Sequence, residues 1–435
     1  MTSIVSDPRA EAEAQFAAAQ AKLNLLASLN PVLLDVSLRE PCFSSYLGHT
    51  LQNKKDLLPL VTRFGIPDKV IATLDFQDPV WPQVENDFCE YLQSINYDMT
   101  GCFALTAVGT INAAGAFIAD QSMEKLKLYG IPNTMNEIYL LGDASSDHLQ
   151  VKQRIAQSVL WLRQNIVGDG GGPTRIYINV VDLIDAFFAD RDWCCEVLQL
   201  LSELQVDAVS FEDDRGTFFP FQVAAMVKAM KAYLQPKQLV LFHCHSGNGM
   251  ENASVMDALL AGADGYWAGL EKESSTIGHA SMGELVANLA RAGNQTVTQR
   301  YRVNELLPIC RAMHEINSGE ADEPQTWPIQ GSNAYRQMLT DFDQTPGRAM
   351  DLPPEVIGGT YTFRISPVGS DAKVIQGRVL ELLGEQIDED WATRMILRMR
   401  QQLREGTRTR YDDAVPLQEL VDSTRLLTAT ATNDR

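Results

Sequence analysis

The chain has 435 residues, a formal net charge of -20 and a pI near 4.7, which argues against nucleic acid or an anionic membrane as its main partner. No stretch approaches the ~20 uninterrupted apolar residues that span a bilayer, and the acidic, Ala-rich N-terminus is unlike a secretory signal. The seven cysteines form no CxxC spacing, so we expect reduced thiols in a cytoplasmic protein.

Eight apolar runs alternate with helical segments over residues 32 to 292, after an amphipathic helix predicted over residues 8 to 29. The predicted strands cover residues 32–38, 69–74, 101–108, 137–141, 175–181, 207–211, 239–242 and 264–270. This alternation is typical of a parallel (β/α)8 TIM barrel.

The region after the predicted barrel is smaller and of mixed character. Residues 303–317 are predicted to be helical, residues 318–327 form an acidic linker, and a helix pair is predicted at 373–383 and 389–403, with Gly384 ending the first helix. We therefore expect four parts: an N-terminal helical extension (1–31), a TIM-barrel catalytic domain (32–300), an α+β and helical linker region (301–404), and a polar C-terminal tail with one apolar patch (405–435).

The seventh predicted strand ends in His243-Cys244-His245. Residues i and i+2 of a strand point to the same side, so both imidazoles lie together at the carboxyl end, where TIM barrels carry their active sites. Cys244 points the other way, into the barrel wall. Neutral imidazole is a common ligand of Zn, Mn, Fe and Co. The pair therefore indicates a metal site, and two hydrogen-bonded core histidines are the alternative.

Polar residues also follow other predicted strands, and their shared position places them on one rim of the barrel. They are Arg39 and Glu40, residues 145–148, Asp213 and Asp214, and His279. Asp213 and Asp214 either orient a water molecule or cap the next segment.

Several of these segments resemble motifs of the DRE-TIM metallolyase group, which includes isopropylmalate synthase, homocitrate synthase and hydroxymethylglutaryl-CoA lyase. The matching segments are LDVSLRE at 34–40, SDH at 146–148 with Lys152, FEDDRG at 211–216, HCHSGNG at 243–249 and GHASM at 278–282. PIQGSNAY at 328–335 and residues 356–383 resemble the linker subdomains of the synthases, which the lyases lack. The resemblance thus favours the synthase branch.

The resemblance implies a Claisen-type condensation of an acyl-CoA, acetyl-CoA by analogy, with a 2-oxo acid. It implies that Glu40, His243 and His245 bind a divalent cation (Zn, Mn, Mg, Fe or Co), with a rim salt bridge as the alternative for Glu40 and Arg39. Arg39 would stabilise the developing oxyanion. His148 would contact the oxo acid, or is a loop residue before a helix. His279 would be a fourth ligand or a base, or is a solvated loop residue. A homodimer is also implied.

Departures from the family pattern leave the substrate open. Pro41-Cys42-Phe43 replaces a Gly-Glu-Gln, and Thr340-Asp341-Phe342 stands where the synthases carry a catalytic His. We infer a less polar or bulkier oxo acid. Two alternatives remain: a lyase running the retro-reaction, although loop 270–277 has no Cys, and a non-catalytic descendant kept for binding or assembly.

Overall fold

The computed structural model describes residues 7–41, 49–74, 81–141, 147–272, 278–321, 327–331, 334–337 and 352–433. Eight parallel strands close into a barrel, which confirms the predicted TIM-barrel fold. Its strands are β1 (Val32–Asp35), β2 (Asp68–Thr73), β3 (Cys102–Ala107), β4 (Asn133–Ile138), β5 (Ile176–Val180), β6 (Ala208–Asp213), β7 (Leu239–Cys244) and β8 (Gly265–Ala268). Each strand pairs with its neighbours in chain order, and β1 closes the ring against β8, with Val32 opposite Gly265.

Helices lie between the strands and after the barrel. They are α1 (Pro8–Ser28), α2 (Leu51–Phe64), α3 (Trp81–Ser94), α4 (Gln121–Tyr129), α5 (His148–Asn165), α6 (Leu183–Ala189), α7 (Arg191–Glu203), α8 (Pro220–Tyr233), α9 (Glu251–Ala261), α10 (Met282–Arg291), α11 (Gln295–Arg300), α12 (Leu306–Ser318), α13 (Ala372–Leu383), α14 (Glu389–Glu405) and α15 (Ala414–Asn433). Two short strand pairs complete the structure, Thr110–Ile111 with Phe117–Ile118 and Arg336–Gln337 with Thr362–Phe363. None of the helices in the described residues is long and apolar enough to cross a membrane.

Two sequence predictions need correction. The fourth strand begins at Asn133, four residues before the predicted start, because the amide nitrogens of its asparagines find acceptors on the neighbouring strand: Asn136 donates to the carbonyl of Thr106 at 3.2 Å. Helix α1 is present, but none of its residues is buried, because its Ala-rich sequence has no apolar stripe wide enough to dock. Asn294 instead fixes its C-terminal end, donating to the carbonyl of Leu26 at 2.7 Å.

Large apolar side chains fill the interior of the barrel. Leu34, Phe103, Met135, Tyr177 and Trp267 belong to one buried cluster there. Below them, the guanidinium of Arg175 makes two 2.9 Å hydrogen bonds to the carboxylate of Asp68. The barrel is therefore packed through its middle and at its amino end, which leaves the carboxyl end for a site.

A buried ion pair joins α2 and α3 behind β2. Lys54 is fully buried, and its ammonium lies 2.7 Å from Glu85 and 2.9 Å from the carbonyl of Ile71. The other oxygen of Glu85 accepts a 2.6 Å hydrogen bond from the backbone N–H of Thr73. The pair thereby fixes the end of β2.

Substituting Lys54→Met is expected to lower the free energy of unfolding by roughly 3–5 kcal/mol, because Glu85 is left as an uncompensated buried charge. Urea unfolding followed by circular dichroism measures this loss. Adding Glu85→Gln should recover part of it, since an amide still accepts from Thr73. The control is Lys55→Met, which loses only a cation–π contact with Tyr91, worth about 0.5–1 kcal/mol. Equal losses in the two Lys variants would contradict the role of the pair.

The chain divides into two compact units, residues 1–321 and 322–435. The domain boundary predicted after residue 300 stays a prediction, although α12 packs against α2 within the first unit. In the second unit, α13, α14 and α15 share one apolar core, and Gly384 ends α13 in a left-handed conformation, as predicted. The apolar patch of the predicted tail is the buried face of α15, with Leu417 and Val421 fully covered.

Candidate metal centre

Three potential metal ligands meet at the carboxyl end of the barrel. Glu40 follows β1, and His243 and His245 lie at the end of β7. One donor atom from each lies within 4.8 Å of the others. Strand β8 pairs with both β1 and β7, so the barrel closure brings together side chains about 200 positions apart.

Backbone carbonyls orient both imidazoles. His243 Nδ1 lies 2.8 Å from the carbonyl oxygen of Trp267, and His245 Nδ1 lies 3.1 Å from that of Gly278. A carbonyl only accepts, so the proton of each neutral imidazole sits on Nδ1 and each Nε2 carries the lone pair. The two Nε2 atoms are 3.2 Å apart. Two imidazole nitrogens held ~2.1 Å from one ion at a tetrahedral angle lie about 3.4 Å apart, so the pair fits a shared cation.

Glu40 completes the set from the other side. Its Oε1 is 3.8 Å from His245 Nε2, and its Oε2 accepts a hydrogen bond from Arg39 Nη1. Arg39 also donates from Nε to the hydroxyl of Thr73 at 2.8 Å. The predicted alternative of an Arg39–Glu40 salt bridge is therefore present, but it is buried (6% and 1% exposed) and directed into the site.

The electrostatics give these groups the protonation states that metal binding requires. Burial alone would raise the pKa of Glu40, but Arg39, followed by His245 and His243, outweighs it and holds the pKa well below its usual range. Burial, reinforced by His245, lowers the pKa of His243. An anionic carboxylate beside a neutral imidazole is the form in which these side chains bind a cation.

Close packing of two loops holds His245 in place. Its N–H donates to the carbonyl of Asp213 at 3.0 Å. Gly216, at φ +61°, passes so close that a Cβ there would lie 2.0 Å from the carbonyl oxygen of His245. The carboxylate of Asp213 accepts from the N–H groups of Thr217 and Phe218 at 3.0 and 2.8 Å. Of the two roles considered for Asp213, the structure favours capping.

His279 lies next to the three ligands. It forms a backbone bridge with His245, and its ring centroid is 5.9 Å from that of His243 and 6.4 Å from that of His245. Its Nδ1 lies 2.7 Å from the carbonyl oxygen of Ala280, while its buried Nε2 has no hydrogen-bond partner within the described residues. Burial lowers its pKa, which leaves a neutral imidazole.

His148 has a different environment. It begins α5, and its ring stacks on Trp193 of α7 with centroids 4.0 Å apart. Lys152, from the same sequence motif, pairs with Glu196 at 2.7 Å. These contacts favour a role in helix packing, and a contact of His148 with substrate stays a prediction.

Two inward-facing residues escaped the sequence analysis. Glu212 is opposite His243 in the pairing of β6 with β7, and Asn179 of β5 donates to its Oε2 at 2.9 Å. Burial raises the pKa of Glu212 to about 7, although His245 opposes the shift. The available signal was strand alternation: Ala208 faces the barrel core, so Ser210 and Glu212 share its side. Because the predicted strand ended at Phe211, Glu212 was not assigned to this face.

Several other predictions cannot be placed. Cys42, Phe43, Ser145, Ser146 and residues 273–277 and 340–342 lie outside the described residues. The inferences drawn from them stay predictions.

No protein-family model matches the chain. Among curated proteins, it is 26% identical over 218 residues to a probable 2-isopropylmalate synthase of Glycine max, covering 47% of this chain and 38% of that protein. It is 33% identical over 121 residues to a 4-hydroxy-2-oxovalerate aldolase of Spirochaeta aurantia, covering 28% and 35%. The matches thus span well under half the length of these two relatives.

Solved structures show the same fold. A hydroxymethylglutaryl-CoA lyase from Pseudomonas aeruginosa superposes with a TM-score of 0.54 at 13% identity, covering 71% of this chain and 97% of that one. An HMG-CoA lyase from Acenitobacter baumannii, in complex with coenzyme A and 3-methylmalate, superposes with a TM-score of 0.50 at 15% identity, covering 66% of this chain and 91% of that one.

The fold and site together define a TIM barrel that carries a candidate metal site of one carboxylate and two imidazoles at its carboxyl end. With these relatives, the resemblance to the DRE-TIM metallolyase group is confirmed.

Proposed function

We propose that the protein catalyses a metal-dependent Claisen-type condensation of an acyl-CoA, by analogy acetyl-CoA, with a 2-oxo acid. The observation that carries this proposal is the convergence of Glu40, His243 and His245 beside Arg39 at the barrel mouth. The name of the Glycine max relative supports it. The products would be free CoA and a 2-hydroxy-2-substituted dicarboxylate.

Glu40, His243 and His245 would hold the cation, and this donor set suits Zn, Mn, Fe or Co better than Mg. When bound, a divalent cation acts as a Lewis acid toward the carboxylate and keto oxygens of a 2-oxo acid. Arg39 presents further donors beside Glu40. Its guanidinium would stabilise the keto oxygen as it becomes an alkoxide.

His279 is our candidate for the proton acceptor, because its Nε2 is neutral, buried and without a partner among the described residues. The methyl group of the acyl-CoA would lose a proton to His279 Nε2. The methyl carbon then forms a bond with the keto carbon, and the alkoxide takes up a proton. Water cleaves the thioester and releases CoA, which balances the reaction.

Cleavage by a lyase is the second candidate, because aldol cleavage of a 4-hydroxy-2-oxo acid also calls for a cation at the 2-oxo acid group. The 33% identity to a protein named 4-hydroxy-2-oxovalerate aldolase favours it. A homodimer in the cytoplasm belongs to the proposal as well, and analytical ultracentrifugation tests the dimer.

The decisive experiment loads the full-length apoprotein with Mn²⁺ or Zn²⁺ and measures CoA release from acetyl-CoA with a panel of 2-oxo acids. We expect one bound ion per chain and CoA release that depends on both metal and oxo acid. Formation of pyruvate and an aldehyde in equal amounts from a 4-hydroxy-2-oxo acid, without CoA release, would instead establish the cleavage reaction. No bound metal and no turnover would leave a binding or assembly protein.

A further inference from the structure

The carboxyl ends of β5 and β6 form a second polar surface inside the barrel mouth. Tyr177 and Ala208 face the barrel core, and Asn179 and Glu212 lie two residues further along the same strand faces. In the strand pairing, Glu212 lies opposite His243 of β7, and Asn179 lies opposite Glu137 of β4. The Asn179–Glu212 pair therefore adjoins the candidate metal centre.

The hydrogen bonds of this pair leave one acceptor without a donor. Asn179 is fully buried, and its Nδ2 donates to Glu212 Oε2 at 2.9 Å. With the amide nitrogen directed toward Glu212, the amide oxygen points elsewhere. That oxygen, Asn179 Oδ1, is buried without a hydrogen-bond partner in the part of the chain that the structure describes.

A buried acceptor without a donor is unfavourable, so such groups in native proteins are normally paired by protein, water or ligand. When Glu212 is ionised, the pair offers only acceptors toward the mouth: the amide oxygen of Asn179 and the carboxylate of Glu212. A ligand group that donates a hydrogen bond would pair with these two acceptors. An apolar group would leave them unpaired, and an anionic group would be repelled by them.

We propose that the Asn179–Glu212 pair is a specificity subsite for a hydroxyl group carried by the 2-oxo acid substrate. The inference rests on the proposed function, because the oxo acid end must lie at the cation held by Glu40, His243 and His245. It assigns a hydroxylated 2-oxo acid as the substrate class, in place of the less polar oxo acid inferred from Cys42 and Phe43, and disfavours 2-oxo dicarboxylic acids.

The test measures binding by isothermal titration calorimetry to the Mn²⁺-loaded, full-length protein at pH 8. Two series differ only at the far end of the oxo acid: 2-oxobutyrate and 4-hydroxy-2-oxobutyrate, then 2-oxopentanoate, 5-hydroxy-2-oxopentanoate and 2-oxoglutarate. In at least one series we expect the hydroxylated acid to bind roughly tenfold more tightly than its apolar analogue, as one hydrogen bond to a buried acceptor predicts. 2-Oxoglutarate should bind more weakly than both five-carbon analogues.

The isosteric substitution Glu212→Gln removes the charge and adds a donor. It should reduce the hydroxyl preference to within about twofold and strengthen 2-oxoglutarate binding, while metal content stays unchanged. Asn179→Leu should remove the hydroxyl preference as well. The matched control, Glu203→Gln, changes an exposed carboxylate on α7 and should bind like the wild type.

Two outcomes separate the proposals. If every 2-oxo acid binds but the hydroxyl confers no preference, or if Glu212→Gln leaves that preference intact, the subsite is wrong and the proposed condensation still stands. If no 2-oxo acid binds the metal-loaded protein, the proposed function and the subsite are both overturned.

Discussion

The substitution His243→Ala is expected to abolish binding of the divalent cation and, with it, CoA release. His243 supplies one of three protein ligands, and its Nε2 is only 3.2 Å from that of His245. Losing even a hydrogen-bond partner of a ligand typically costs 10–100-fold in metal affinity, so we expect loss of the ligand itself to cost more than 100-fold. Elemental analysis after dialysis, with Zn²⁺ titration against a chromophoric chelator, measures this.

The matched control is His148→Ala, which removes the same side chain from a position where it stacks on Trp193. This variant should retain one ion per chain. Circular dichroism confirms that both variants fold. Metal retained by the His243 variant at wild-type affinity, or lost equally from both variants, would refute the three-ligand site.

Arg39→Lys is expected to lower the rate of CoA release by about 10²–10³-fold while metal content is preserved. That range is the usual cost of removing one donor from an oxyanion site. Arg39 binds Glu40 through Nη1 and Thr73 through Nε, and a lysine ammonium cannot reproduce this fixed, forked geometry. The measurement is kcat under saturating oxo acid, alongside elemental analysis of the same sample.

Arg215→Lys provides the comparison, because Arg215 lies on the neighbouring loop with its side chain 81% exposed. It should leave kcat within about twofold of the wild type. A wild-type rate in the Arg39 variant would show that the guanidinium serves only as a buried partner of Glu40. If the metal content of the Arg39 variant fell in parallel with its rate, the role of Arg39 would instead be to hold Glu40 in place as a metal ligand.

The barrel and its three candidate metal ligands were accessible from the sequence for different reasons. Eight apolar runs separated by helical segments have few alternatives to a closed parallel sheet. Two histidines spaced by one residue must share a strand face, which is a local geometric fact. Glu40 needed the family resemblance, because nothing local links it to His243.

The fourth strand and α15 show where local patterns fail. Asn133 and Asn136 look unfavourable in a strand until their partners on β3 are known. The apolar patch of the C-terminal sequence was visible, but it becomes part of a core only when α13 and α14 are present to cover it. In both cases tertiary partners override a local preference.

The sequence by itself determined the order of the strands, the pairing of His243 with His245 on one face, and the placement of polar residues at strand ends. Only the tertiary structure decided that Glu212 meets Asn179, that Thr73 holds Arg39, and that His148 faces Trp193. These contacts join residues 33 to 45 positions apart. They depend on strand register and helix packing, which the whole barrel fixes cooperatively and which no short stretch of sequence encodes.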